Sequence, residues 1–287
     1  MKTRQSLKHS ISRALGLGAA LVLAAAVTAT SVSAAGLPAK YKDKGVLTVA
    51  SDASYAPMEF IGKDGKSVVG ADVDLGHAIG KELGVKFKFV NASFDSIIPA
   101  LQAGKYDLGM SAFSDTKKRE EVVDFVTYFV AGTSFYVKAH GGAKIEGLDD
   151  LCGKTVAIEK GTIQVDDANA QSKKCTAAGK SAVTVSVFPD QNGANLAIAS
   201  GRAQVGMADS PVAAWIVKES RGQFKLSGKA YNSVPYGIVV PKNSGLAKPL
   251  RAAVERLIKN GEYAKILDKW GISQGALKTS KINVAAQ

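Results

Sequence analysis

From Gly45 onward, short β-prone runs alternate with helix-patterned stretches, and the alternation then restarts, which constrains the fold more than any other feature of the chain. Strand–helix alternation implies parallel sheets with helices packed on their faces, because each parallel return needs a crossover long enough to be a helix. The pattern predicts strands over 46–50, 68–73, 87–90 and 106–110. Between them lie a helix capped by Asp74 and stopped by Gly84, and a second capped by Ser93 or Asp95 with Ile97, Ile98 and Leu101 on one face. After a Val-, Phe- and Tyr-rich segment over 125–137 come strands over 155–158, 183–187 and 205–208. Helices follow each, starting at Thr162, Asn192 and Ser210. A second extended run, Tyr236 to Val240, precedes C-terminal helices whose Leu250, Val254, Leu257 and Ile258 form one apolar stripe.

The two extended runs bracket the second set of βα units. Lying side by side, they would make residues 134–230 one lobe inserted into another, built from 36–133 plus 231–287. Two consecutive domains are the alternative the pattern leaves open.

Residues 1–35 carry Lys2, Arg4, Lys8 and Arg13 without an acid, an uncharged stretch over 19–27, and small residues ending Val32-Ser33-Ala34-Ala35. That order is an export signal, and the apolar stretch is short for a membrane span. Cleavage would leave 252 of the 287 residues, enough for two domains. The mature protein is therefore expected to be secreted, periplasmic or on the outer face of the cell membrane. Lys and Arg outnumber Asp and Glu by 37 to 25, but the signal supplies four of the bases, and Lys117-Lys118-Arg119 is followed at once by Glu120 and Glu121. No nucleic-acid partner is expected. Cys152 and Cys175 in an exported chain point to one disulfide, worth ~3 kcal/mol on the entropic account; two buried free thiols would also fit. Three scattered histidines, one of them in the signal, give no metal site, and no cofactor is expected.

In open α/β sheets ligands bind outside the carboxyl ends of the strands. Four such ends carry polar groups here: Asp52 with Tyr55, Ala112 and Ser114 followed by Arg119, Glu159 with Thr162, and Asp209. They suit a small zwitterion. A carboxylate wants a bidentate guanidinium and free backbone N–H groups, which Arg119, the Ser114 loop and the helix start at Thr162 supply; an ammonium wants a carboxylate, which Asp209 supplies. Tyr55 and Phe94 provide apolar walls. Each residue also has a bland reading. Arg119 fits a solvated helix residue, Asp209, Ser114 and Thr116 fit helix caps, Tyr55 and Phe94 fit core, and Glu159 fits a solvent-facing strand end.

The stretches Asp52-Ala-Ser-Tyr55-Ala-Pro57-Met-Glu59-Phe60, Gly70-Ala-Asp72-Val-Asp74-Leu75 and Phe94-Asp-Ser-Ile-Ile-Pro99-Ala-Leu101 are joined by Ser114-Asp-Thr116-Lys-Lys-Arg119, Val123-Asp124-Phe125, Gly153-Lys-Thr-Val156, Gly161-Thr162 and Ala208-Asp209-Ser210. With them the mature chain resembles the exported family 3 solute-binding proteins that serve polar amino-acid ABC importers. The resemblance implies an α/β, two-lobe periplasmic-binding-protein fold of type II, with one lobe inserted into the other and two hinge strands. It implies an amino-acid ligand captured by lobe closure and a membrane permease as partner. It also assigns roles: Arg119, Ser114 and the Thr162 backbone on the ligand carboxylate, Asp209 on the ammonium, Tyr55 as cover, and Asp52, Phe94 and Glu159 facing the side chain. Ala112 stands where many members have serine or glycine, which removes a hydroxyl contact. Glu159 is acidic where others carry an apolar residue, Gln or Lys. It suits a cationic side chain, but Lys160 beside it offers neutralisation, and the sequence leaves lysine, arginine, an opine-like derivative and glutamine open as ligands.

The mature protein is expected to be a monomeric binding protein with no catalytic residue. A dehydratase-like enzyme on the same fold, with Glu159 or Asp209 as general acid, is the alternative. No activated nucleophile pair or phosphate loop supports it.

Overall fold

A computed structural model describes residues 36–285; the proposed export signal over 1–35 lies outside the described residues. In chain order the elements are α1 (Ala39–Lys44), β1 (Val46–Ser51), β2 (Ser54–Tyr55), β3 (Glu59–Ile61), β4 (Val68–Val69), α2 (Ala71–Leu83), β5 (Lys86–Asn91), α3 (Phe94–Gln102), β6 (Leu108–Gly109), α4 (Lys117–Glu120) and β7 (Val123–Lys138). The second half holds β8 (Thr155–Glu159), α5 (Ile163–Ala177), β9 (Thr184–Phe188), α6 (Gln191–Ala199), β10 (Val205–Asp209), α7 (Ser210–Glu219), β11 (Phe224–Pro241), α8 (Ala247–Asn260) and α9 (Glu262–Trp270).

One eight-stranded sheet runs β5-β1-β6-β11-β7-β10-β8-β9. Its outer thirds are parallel, β1 with β5 and β6 on one side and β8 with β9 and β10 on the other. Between them β7 and β11 pair antiparallel along nearly their whole lengths, so the two extended runs of the sequence do lie side by side. The ladder slips between Ser227 and Tyr231, between Tyr231 and Val234, and between Tyr236 and Gly237. Such irregularities bend and twist a strand pair. The first two sit where β7 gains a second neighbour: Thr133, Phe135 and Tyr136 pair with β10 on one edge while still pairing with β11 on the other. This is the two-lobe α/β architecture that the resemblance implied, with two long strands passing between the halves.

Each half has its own apolar packing. Phe94, Ile97, Leu101, Phe113, Phe125 and Val239 close one face of the first parallel set. Phe135, Val156, Ile158, Ala168 and Met207 form the core of the second. On the opposite face of the first set, Leu250, Val254 and Leu257 of α8 are fully buried beside Ile79 of α2, which accounts for the apolar stripe. Cys152 and Cys175 are joined in a disulfide with Cα atoms 5.6 Å apart, tying α5 to the turn before β8, so the free-thiol alternative falls.

Three local expectations need correction. The strand expected over 68–73 stops at Val69, and α2 starts at Ala71, ahead of the proposed Asp74 cap. Carbonyls do the capping: Ala71 N–H donates to Pro57 O and Asp72 N–H to Met58 O. Gly70 makes that approach possible, since its φ is 140° and a Cβ there would lie 2.1 Å from Met58 O. The start of α3 is likewise capped from outside, by Asp52 Oδ2 accepting from Phe94 N–H at 2.9 Å rather than by the Ser93 or Asp95 side chain. Finally, β11 begins twelve residues before the apolar run Tyr236–Val240 that marked it, because its first part is exposed and polar.

Candidate functional site

The carboxyl ends of β1, β6, β8 and β10 converge on one cavity of about 280 Å³ at the centre of the sheet. Asp52, Tyr55 and Phe94 line it from the first parallel set, with Ala112, Ser114 and Arg119 from the loop after β6. Glu159, Thr162 and Asp209 line it from the second set. All nine residues singled out in the sequence thus share one concave surface.

Arg119 is presented by α4, a single turn whose N-cap Thr116 accepts from the Arg119 N–H. Its Nη1 donates to Ser114 O at 2.8 Å and its Nη2 to Gly161 O at 2.9 Å. The guanidinium also lies 5.4 Å from the Phe94 ring and 5.5 Å from the Phe113 ring, which stack on each other at 4.4 Å. Two carbonyls and an aromatic stack therefore fix the fork, leaving its remaining N–H groups for an anion. Burial lowers its pKa to about 10, so it stays charged at neutral pH. The first turn of α5, Thr162 to Gln164, forms the facing wall, and a helix N-terminus favours negative charge. The Thr162 hydroxyl does not cap that helix; it donates to Glu159 O at 2.8 Å.

Asp209 occupies the N-cap position of α7, yet its side chain makes no capping bond. It turns inward instead, where Gln164 Nε2 donates to its Oδ1 at 2.7 Å, and its own N–H donates to the Tyr55 hydroxyl at 3.0 Å. No direct ion pair joins Arg119 to Asp209 among the described residues; the two charges face the same space without neutralising each other. Burial raises the Asp209 carboxyl above its ordinary range, opposed by the Gln164 hydrogen bond and by the Arg119 charge.

Glu159 is 2% exposed, and its Oε1 has no hydrogen-bond partner. Burial pushes its carboxyl well up, and the carboxylates of Asp52, Asp190, Asp209 and Asp95 push further. The solvent-facing reading of this strand end therefore fails. So does neutralisation by Lys160, whose Nζ is 2.8 Å from Asp95. Asp52 accepts from the Ser54 hydroxyl and from Phe94 N–H. Ala112, at φ 47°, gives its N–H to Asp72 Oδ2 at 3.0 Å, so of its backbone only the carbonyl remains for a ligand.

The two sides of the cavity touch around its rim. Besides Arg119–Gly161 and Lys160–Asp95, Gln191 N–H donates to Ser54 Oγ at 3.1 Å. Gly161 packs so tightly on Asp95 that a Cβ would lie 2.9 Å from the Asp95 Cβ, and its φ of 82° is one that side chains avoid.

Glu59, Ser111, Ile163 and Gln164 also line the cavity and were not singled out. Glu59 was visible only as a member of a matching stretch, and Ser111 only as the neighbour of Ala112 after a predicted strand. Glu59 accepts from the Ser111 hydroxyl at 2.8 Å, while Ser111 accepts from Asp52 N–H, a chain that locks two strand ends together. Gln164 was legible in principle, being two residues beyond Thr162 in the first helical turn.

Residues 47–273 match the model of the bacterial extracellular solute-binding proteins, family 3. The chain is 34% identical over 248 residues to the arginine-binding protein ArgT of Corynebacterium glutamicum, covering 86% of this chain and 81% of that one. An ancestral arginine-binding protein bound to arginine superposes with a TM-score of 0.72 at 38% identity, over 79% of this chain and 98% of its own; the same description bound to glutamine gives 0.71. The ancestral amino acid-binding protein AncCDT-1, a precursor of cyclohexadienyl dehydratase, gives 0.72 at 33% identity, over 80% of this chain and 97% of its own.

Proposed function

This chain belongs to the bacterial extracellular solute-binding proteins, family 3, and from that membership we propose that it captures a free α-amino acid with a cationic side chain, arginine foremost, and hands it to the permease of an ABC importer. The observation that carries the choice of ligand is Glu159, a buried carboxyl with an unpartnered oxygen on a wall that also holds Asp52 and Asp209. Arg119 alone supplies positive charge to this lining, and a ligand carboxylate would consume it. A cationic side chain then balances the remaining acids, whereas a neutral one leaves Glu159 either protonated or uncompensated.

In this reading Arg119 and the start of α5 hold the carboxylate, Asp209 and the Ala112 carbonyl hold the ammonium, and Tyr55 and Phe94 cover the stem. The lobes divide at about 133/134 and 230/231, a reading supported by the ladder slips at Ser227, Tyr231 and Val234. Ligand favours the closed form only through contacts made from both sides, and Arg119 opposite Asp209 meets that requirement. Export through the segment 1–35 puts the mature, monomeric protein outside the cytoplasmic membrane, in keeping with the family's extracellular members. It binds rather than converts its ligand, a reading supported by the curated relatives, which are named as binding proteins.

A thermal-shift screen of the mature protein against the common amino acids tests the reading. A ligand at 100 times its Kd stabilises by about 2.7 kcal/mol, and 1 kcal/mol is worth roughly 2–4 °C in a chain of this size. Arginine and lysine are expected to raise the melting point by several degrees and glutamine by less. No shift with any cationic amino acid, or the largest shift with glutamate, overturns the assignment.

A further inference from the structure

The family match ends at residue 273, yet the chain beyond it is not loose. After α9 it returns along the β7 edge that does not pair with β11. Ser280 Oγ donates to Thr127 O at 2.7 Å, Lys281 N–H to Thr127 Oγ1 at 2.8 Å, and Thr127 N–H to Lys281 O at 2.9 Å. Ile282 bridges Val126, and Asn283 exchanges bonds with Phe125 through both its backbone and its side chain. An otherwise open sheet edge is thereby covered.

The last two described residues reach further, to the turn that carries Arg119. Val284 N–H donates to Asp115 Oδ2 at 2.9 Å, and Ala285 N–H donates to Glu120 Oε1 at 2.9 Å. Asp115 and Glu120 bracket Arg119 in sequence but belong to neither wall of the cavity. Asp115 is 2% exposed, and its N–H is already spent on Pro235 O in β11 at 2.8 Å. Two carboxyls thus face away from the ligand space and are met by backbone donors of the tail.

We propose that Ser280–Ala285 is a strap that positions Arg119, so that ligand affinity depends on a segment outside the family match that does not line the cavity. The inference rests on the proposed function for its effect on affinity, but not for the hold of the strap on the turn. Without the strap, Asp115 and Glu120 lose the donors that tie the two ends of the Ser114–Glu120 turn to β7. The turn is then held by the Thr116 cap, the Pro235 bond, the Ser114–Tyr236 bridge and the guanidinium's own contacts, and the aim of the guanidinium loosens. Residues one step removed from a site modulate binding by ~0.5–2 kcal/mol, so arginine Kd is expected to rise about 3- to 30-fold.

The test compares the full-length mature chain with a truncation lacking 280–287 and with Val284→Pro, which removes the donor to Asp115 and also restricts Asn283 before it, within the same strap; Val284→Ala keeps that donor. Hydrogen exchange of the amides over 115–122, measured without ligand, is expected to quicken in the truncation and in Val284→Pro and to stay as in wild type in Val284→Ala. Arginine affinity, by calorimetry, is expected to follow the same order. Unchanged exchange overturns the strap. Faster exchange with unchanged affinity overturns its positioning role. If the full-length chain binds no amino acid, the proposed function fails and the exchange experiment alone decides the strap; if the truncation does not fold, Val284→Pro decides it.

Discussion

Arg119→Ala is expected to weaken arginine binding at least about 100-fold, and Asp209→Asn to do nearly the same. Removing one partner of a buried charged contact costs roughly 2–5 kcal/mol, and each 1.4 kcal/mol is a factor of ten. Arg119 carries a second burden, since its Nη2 bond to Gly161 O links the two sides of the cavity. Its loss therefore removes a ligand contact and a closing contact together. Arg119→Lys restores the charge but not the fork, so it is expected to recover only part of the affinity. For Asp209, asparagine preserves shape and an acceptor for Gln164 while removing the charge that answers an ammonium. Titration calorimetry reads all three. Wild-type affinity in Arg119→Ala or Asp209→Asn would remove that residue from the site.

Glu159→Gln is the second large effect, and it is selective. Arginine and lysine are expected to lose about 30-fold in affinity, near the low end of the cost of removing a buried charge partner, while glutamine changes by less than about threefold. The pH dependence has a definite sign. Burial and four neighbouring carboxylates hold the Glu159 carboxyl well above its ordinary range. A guanidinium beside it favours the ionised form, so binding lowers that pKa and releases a proton. Arginine affinity therefore rises with pH until the carboxyl of the unliganded protein is itself ionised, and the rise disappears in Glu159→Gln. For folding the same shift runs the other way. A raised carboxyl contributes stability that is present below its unfolded pKa and is lost as pH climbs through the folded value. Equal losses for arginine and glutamine in Glu159→Gln would contradict a specificity role.

Much of this was legible in the sequence because the parallel strands are short, apolar and sharply ended. β1, β8 and β10 each end within a residue of the expected place; Glu159 and Asp209 are the last residues of β8 and β10, and Asp52 directly follows β1. The choices between functional and bland readings were not legible, because they depend on where a side chain turns. Asp209 sits at a helix cap and does not cap; Thr116 sits at one and does. Nothing in a Lys-Lys-Arg-Glu-Glu run says that only the arginine points inward. The polar first half of β11 and the carbonyl-capped start of α2 were hidden for a related reason. Their partners, β7 and the turn at Pro57–Met58, are distant in sequence and supply what local composition does not. The tail after residue 273 had no periodicity to announce its bonds to β7.

The central claim is that one cavity recognises both charges of an α-amino acid at once. Calorimetry of the mature protein with L-arginine and with agmatine, which keeps the amine and the guanidinium but lacks the carboxylate, tests it directly. The expected result is one site per chain, micromolar or tighter for arginine, and at least a hundredfold weaker for agmatine. Equal affinity for the two compounds, or no binding of arginine at all, would contradict it.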